Sequence, residues 1–368
     1  MPTHKDLSKV DPYLKLIEAQ TIINDRFTGV SRIDRAGGDG HFSLMFAADD
    51  KMTGDKAILK FYDPNQYGDT DRLMRFQREG EILMQLKGQH NILQCLDGVC
   101  NIAVTLKDPS GLAFSMPLMF IPMKKALSSI DNYIYSDRKK PEKCLIYFRE
   151  MCKALARIQT MHICHRDLKP GNFLIFPKDE VCLSDFGTAK YLDGRMPDIR
   201  TNYTTPVGDL SYCAPELFWQ LGIGDDQAYC ADMFSLGAIL FEMFTGTMLT
   251  QYIYTKDFLT NMFTLRTSLE RLTEGERKTL YFAFADILSG SADLPDIFSF
   301  NDFVPNSIKH ELNRLYKSLA GINFNRRLND FPTIYRRINI CLLVLKNEKV
   351  RTYFQMKKRR LDNNKTKR

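Results

Sequence analysis

No CxxC pair occurs in these 368 residues, and the nine Cys, at 95, 100, 144, 152, 164, 182, 213, 230 and 341, are odd in number and scattered. That excludes a disulfide framework and a zinc ribbon, and it predicts reduced, mostly buried thiols. Long apolar runs are missing too. The best uninterrupted one, Ile340 to Leu345, is six residues long, against the ~18 a membrane span needs. The opening Met1-Pro2-Thr3-His4-Lys5-Asp6 lacks the apolar core of a signal peptide. The expectation is a soluble intracellular protein with no membrane span, cytoplasmic, with a nuclear location left open. Internal repeats and compositional bias are absent as well. At 44% hydrophobic and 26% charged residues, the chain is neither disordered nor collagenous.

What is present is a chain long enough for about two domains, at roughly 150 residues each, and for a sizeable core. The net charge of +7 is not spread evenly. Residues 346–368 hold ten Lys/Arg against two acids, while the remaining 345 residues hold 41 bases and 42 acids. The basicity therefore belongs to a C-terminal tail, a solvated end or a candidate contact for an anionic partner such as nucleic acid or a membrane.

Along the chain, Asp11-Pro12 is followed by apolar residues at helical spacing from Tyr13 to Ile23, so residues 1–28 read as a helical N-terminal extension. Residues 29–64 read as β-rich, with strands at His41 to Ala48 and Ala57 to Tyr62 around the turn Lys51-Met52-Thr53-Gly54. Asp71 to Lys87 reads as a helix, and 92–120 as short strands. From Pro141 the spacing of Leu145, Phe148, Cys152, Leu155 and Ile158 predicts a helix. Strand-like runs follow at Phe173 to Phe176 and Val181 to Ser184, and helices dominate from 214 onward. The segment 249–310 reads as long and irregular. The fold class is α+β: a small β-rich lobe, then a larger helical one.

The densest chemical signal is His165-Arg166-Asp167-Leu168-Lys169-Pro170-Gly171-Asn172, with Asp185-Phe186-Gly187 beginning thirteen residues after Asn172. Asp185 and Asn172 offer the hard oxygens that suit Mg²⁺. Asp167 can accept a proton from an attacking hydroxyl, and Lys169 can neutralise charge on a transferred group. Single Asp residues usually cap helices or sit in turns. The whole run with a correctly spaced second motif does not arise that way.

On these motifs the chain resembles the eukaryotic-type protein kinase family, serine/threonine class, and the remaining motifs appear in order. Gly38-Asp39-Gly40-His41-Phe42-Ser43-Leu44-Met45 resembles the glycine-rich loop, and Lys60, twenty residues after Gly40, the phosphate-binding Lys. Glu79 matches its ion-pair partner, with Glu81 as competitor. Ala214-Pro215-Glu216 matches the end of the activation segment, and Asp232 to Gly237 the helix that anchors the catalytic loop, with Phe234 where Trp is commoner. Arg327 is placed to pair with Glu216, with Arg326 as a substitute.

The resemblance implies a bilobal protein-kinase-like fold over 29–345, with an N-lobe about 29–120, a C-lobe about 121–345 and the basic tail at 346–368. It implies ATP and Mg²⁺ as cofactors and transfer of the γ-phosphate to a Ser/Thr hydroxyl of a protein substrate. Gly38 and Gly40 would let backbone N–H groups approach the phosphates, which Lys60, held by Glu79, would grip. Met45, Ala57 and Leu174 would sandwich the adenine. Asp185 and Asn172 would hold the metal, Asp167 would serve as base, and Lys169 would contact the γ-phosphate. Lys169, two residues after Asp167, is the Ser/Thr form of the loop. The resemblance also implies a switch: an activating kinase or autophosphorylation at Thr205, with Thr204 and Thr201 nearby, creating a phosphate that Arg166 and Lys190 would bind.

Two departures stand out. Ser43 replaces the third glycine, and Asp209 stands where the family has a threonine that contacts the catalytic Asp and Lys. A carboxylate there would pair with Lys169 and repel Asp167. These departures favour an alternative of another class, a pseudokinase scaffold that binds nucleotide or partners without turnover. A small-molecule phosphotransferase on the related fold would generally lack the full motif series.

Overall fold

The computed structural model describes residues 11–33, 43–107, 110–194, 207–219 and 225–365. Gly38, Gly40, Thr201, Thr204 and Thr205 lie outside these described residues. The chain divides into two compact units: the described residues up to Leu127 together with Cys182–Ala189, and Ser128–Val181 together with those from Lys190 onward.

The first unit is built on a six-stranded sheet ordered β1-β2-β3-β4-β6-β5. Its strands are β1 (Ile22–Ile23), β2 (Phe27–Arg32), β3 (Ser43–Asp50), β4 (Lys56–Tyr62), β5 (Cys100–Lys107) and β6 (Ala113–Lys124), and neighbours pair antiparallel. Side chains alternate along a strand, so Phe46, Ala48, Ala57, Leu59 and Phe61 share one buried face. Phe61 stacks on Phe120 at 4.9 Å and meets Phe46 edge-on at 5.6 Å. α1 (Asp11–Glu18) adds Leu14 and Ile17 to this core, and α2 (Thr70–Gln85) begins on Asp69, whose side chain accepts from the Arg72 N–H.

The N-terminal helix is shorter than its apolar spacing predicts. It stops at Glu18, and Ile22–Ile23 turn into a strand, because β-branched Ile suits the sheet and Asn24 and Asp25 adopt left-handed φ of 49° and 54°. Arg26 then locks the turn by a two-bond pair to buried Asp50, at 2.8 and 2.7 Å. That pairing holds the Asp50 carboxyl down at about 2.

The second unit contains α3 (Ile130–Ile134), α4 (Pro141–Thr160), α5 (Asp225–Thr245), α6 (Thr250–Ile253), α7 (Lys256–Glu270), α8 (Glu274–Ser289), α9 (Lys309–Leu319) and α10 (Phe331–Lys365). Short strands β7 (Ser128–Ser129) and β9 (Phe173–Ile175) pair, as do β8 (Ile163–Cys164) and β11 (Lys190–Tyr191), while β10 (Val181–Leu183) lies at the boundary along the chain. Over Ala228–Thr245, α5 is long and apolar enough by composition to cross a membrane, and 83% of that window is buried inside the protein. A search for uninterrupted apolar runs misses it because Asp232 and Glu242 interrupt the stretch.

Two further expectations need correcting. The segment 249–310 is largely regular: Thr255 caps α7, and Thr273 with Glu276 forms a capping box on α8. The basic residues from 346 to 365 are no separate tail, since α10 runs unbroken to Lys365 with no Gly or Pro after Pro332. All nine thiols are free, and seven are buried. Burial pushes those of Cys95, Cys144 and Cys164 up to about 12.

One buried ion pair braces this unit. Both Nη atoms of Arg327 bond the Glu216 carboxylate, Nη2 to Oε2 at 2.7 Å, while Nε donates to Gly321 O at 2.6 Å and Nη1 to Cys230 O at 2.9 Å. Phe234 lies beneath the guanidinium, 5.1 Å from its carbon to the ring centroid. Arg326 instead meets Asp286 at the surface. Arg327→Met should therefore cost about 3–5 kcal/mol, because it strands a buried carboxylate. Adding Glu216→Met should recover only part of that, since the backbone carbonyls still lose their donor; urea unfolding of both variants checks this.

Candidate active site

In the sheet unit, strand period decides which side chains gather around Lys60. Met45 of β3 lies directly across from Lys60 of β4, and Ala47 across from Ile58. Met45, Ala47, Ile58 and Lys60 therefore share the face opposite the core. Ala57, expected among the adenine contacts, is fully buried on the core face and belongs to the hydrophobic cluster. Ile58, not Ala57, lies on the face of Lys60. The alternation along Ala57-Ile58-Leu59-Lys60 carried that signal, because residues two apart share a face and residues three apart do not.

Lys60 meets Glu79 of α2, with Nζ at 2.8 Å from Oε1 and 2.7 Å from Oε2. Glu81 is exposed and takes no part. A third oxygen, Oδ1 of Asp185, lies 3.2 Å from the same Nζ. Asp185 is positioned by its own strand, where Leu183 accepts from the Leu93 N–H and donates to Asn91 O, both at 2.9 Å. The backbone then turns through a left-handed φ of 64° at Asp185. Burial alone disfavours the Lys60 ammonium, but the carboxylates of Asp185 and Glu79 outweigh it and hold its pKa above the ordinary lysine value. Burial pushes Glu79 upward, opposed by Lys60. Two short bonds to one carboxylate favour the ionised pair.

In the helical unit a second cluster is hung from α5. Asp232 is buried, and its carboxylate accepts the backbone N–H of His165 at 2.7 Å and of Arg166 at 2.8 Å. This holds Arg166 at a left-handed φ of 66°. The next residue, Asp167, carries Oδ2 at 3.3 Å from the Lys169 ammonium. Asn172, on the turn Pro170–Asn172, donates Nδ2 to Asp167 O at 2.8 Å, which orients its amide. Leu174, half-buried on β9, pairs with Ser129 of β7.

Asp209 approaches the same carboxylate by its backbone: its N–H donates to Asp167 Oδ1 at 2.7 Å, while its own Oδ2 lies 3.8 Å from Lys169 Nζ. Pairing with Lys169 is thus as expected. What faces Asp167 in addition is an amide donor. The close approach requires Gly208, at φ 88°, where a Cβ would collide with Arg166 O. Lys190 pairs with Cys164 across β11 and β8, two residues before Arg166.

Sequence reasoning overlooked a brace behind this cluster. Glu242, fully buried in α5, accepts hydroxyl bonds from Tyr135 and Tyr212, each at 2.6 Å. Tyr212 in turn donates its N–H to Asp209 O at 3.0 Å and accepts from Ser235 Oγ at 2.8 Å. A lone acid in the apolar run Ala238 to Phe244 was the available signal.

Burial pushes the Glu242 carboxyl upward, partly opposed by the two hydroxyls. Its folded-state pKa therefore exceeds the unfolded one, so its contribution to stability is complete below the unfolded value and is lost as pH rises through the folded value. In Glu242→Gln that decline should vanish. Urea midpoints measured across the acidic range should fall with rising pH more steeply in wild type than in the variant.

The sheet unit can thus hold a buried cation against carboxylates, the chemistry of a polyanion grip, and the helical unit presents a carboxylate beside an ammonium and an amide. A family description, protein kinase domain, matches residues 32–331. Maternal embryonic leucine zipper kinase of Xenopus laevis is 29% identical over 210 residues, 57% of this chain and 29% of that protein. Serine/threonine-protein kinase ppk21 of Schizosaccharomyces pombe is 28% identical over 216 residues, 57% of this chain and 36% of that protein. For PknA of Corynebacterium glutamicum, named among serine/threonine-protein kinases, the figures are 27%, 57% and 41%. The matched region spans less than half the length of each of these relatives. Since the family match takes in most of the chain, with relatives of the serine/threonine class, the chain belongs to the protein kinase family.

Proposed function

We propose that the chain is an active, ATP-dependent serine/threonine protein kinase. The observation that carries this reading is the environment of Asp167, a largely buried carboxylate with the Lys169 ammonium at 3.3 Å and the Asn172 amide fixed on its carbonyl. A carboxylate so placed orients a substrate hydroxyl and accepts its proton. The new oxygen–phosphorus bond forms as the bond from the γ-phosphorus to the departing ADP oxygen breaks. Lys169 offsets charge on the transferred group, and Lys60, steadied by Glu79, grips the other phosphates. Met45, Ile58 and Leu174 supply apolar contacts for the base.

The donor chemistry suits Mg²⁺: Asp185 and Asn172 are hard oxygen ligands, and this ion takes few protein ligands. When bound, it neutralises charge on the phosphates. Transfer of labelled γ-phosphate to a generic basic protein tests the reading. Asp185→Asn should lose at least ~10²-fold in rate with the fold intact, and Lys60→Met should fall likewise. No transfer by the wild-type chain would leave the nucleotide-binding scaffold as the better description.

That second reading draws on Ser43 in place of the third glycine and on the Asp209 carboxylate beside Lys169. If that carboxylate ties Lys169 down before transfer, Asp209→Thr should raise kcat severalfold with the KM for ATP unchanged, as expected when a competing ground-state contact is removed. An unchanged kcat would make the carboxylate neutral to turnover.

A further inference from the structure

The inward face of α10 is settled in its first half. Ile334, Ile338, Cys341 and Leu345 are buried at intervals of four, three and four, and the helix packs on α4 and α9. On the same side, Lys349 pairs with Glu142 of α4. From Lys346 to Lys357 every residue is exposed, although isolated helices of about 12–15 residues are marginal in water.

A second apolar stripe runs along the opposite face. Leu343, Val350 and Phe354 are 58%, 47% and 60% exposed, spaced by seven and four residues, about half a turn of azimuth from the buried set. Ile340 and Tyr353, also exposed, widen it. By helical register, Lys346 and Lys357 lie between Val350 and Tyr353, and Arg351 lies just beyond Ile340 on the other side. Residues 346–368 hold ten bases against two acids, so stacking this face on a second copy would bring like charges together.

We infer that α10 from about residue 340 onward is an interfacial helix, which lies on an anionic lipid bilayer with its apolar stripe at the headgroup boundary and its Lys/Arg flanks on lipid phosphates. A helix with large apolar side chains on one face and cations beside them suits that boundary. Each Lys or Arg near such a surface raises partition about fivefold. A nucleic-acid backbone would call on the charges alone and leave the Leu-Val-Phe stripe in water.

Co-sedimentation of the full chain with vesicles of phosphatidylcholine alone, and with roughly one lipid in three replaced by phosphatidylserine, tests this. Binding is expected on the anionic vesicles only. Val350→Ser with Phe354→Ser should weaken it at least ~10-fold, and Lys346→Gln with Lys357→Gln by about 25-fold. All four side chains are exposed, so melting curves should match wild type. As an independent readout, the indole introduced by Tyr353→Trp should blue-shift and be quenched by brominated lipid only on anionic vesicles. Failure to bind anionic vesicles overturns the proposal. So does binding undiminished by Val350→Ser with Phe354→Ser, or duplex DNA or polyglutamate binding the chain more tightly than the anionic vesicles do.

Discussion

In the helical unit the backbone N–H groups of His165 and Arg166 point at one buried carboxylate, Asp232, at 2.7 and 2.8 Å. A carboxylate withdrawn from water is costly unless donors surround it, so the loop cannot relax away without leaving that charge bare. The left-handed Arg166 follows, and with it the direction of Asp167. Asp167 then takes the backbone N–H of Asp209, an approach open only because position 208 lacks a side chain. Asp209 is tied by its carbonyl to Tyr212, and Tyr212 to Glu242, nearly three turns beyond Asp232 along the same helix. An apolar helix thereby fixes two stretches of loop through the two acids set in its interior.

The sheet unit solves the converse problem, placing a cation. Lys60 extends from a strand whose other face is core, and its ammonium meets oxygens from α2 and from Asp185. In both units rigid apolar elements carry the polar groups, which are over-determined by several bonds each. That is how a polar constellation keeps its geometry when any single exposed pair contributes little.

Much of this was legible in the sequence because motif residues carry their spacing with them. Glu79 over Glu81 and Arg327 over Arg326 follow from register and were anticipated. The β-rich first part and the helical remainder were visible from period alone. Other features depended on tertiary partners that a linear pattern does not display. The helix expected over Tyr13 to Ile23 stops at Glu18, because Ile22–Ile23 join the sheet and the turn after them is locked by Arg26 on Asp50, 24 residues away. Ala57 was assigned to the adenine contacts by resemblance alone, although the alternation that puts Ile58 and not Ala57 on the face of Lys60 was in view. The Glu242 brace joins residues 107 and 30 positions away, and no local rule pairs a tyrosine with an acid at those distances.

The burial of the thiols has a chemical consequence. Peroxides and alkylating reagents attack the thiolate, and raising a thiol from 9.0 to about 12, as at Cys95, Cys144, Cys164 and Cys341, lowers its thiolate fraction near neutral pH by about a thousandfold. At these four buried positions the sulfur is therefore redox-quiet. There it fills space as a small hydrophobe would, and it resists the oxidation that traps a more acidic cysteine as a sulfenic acid.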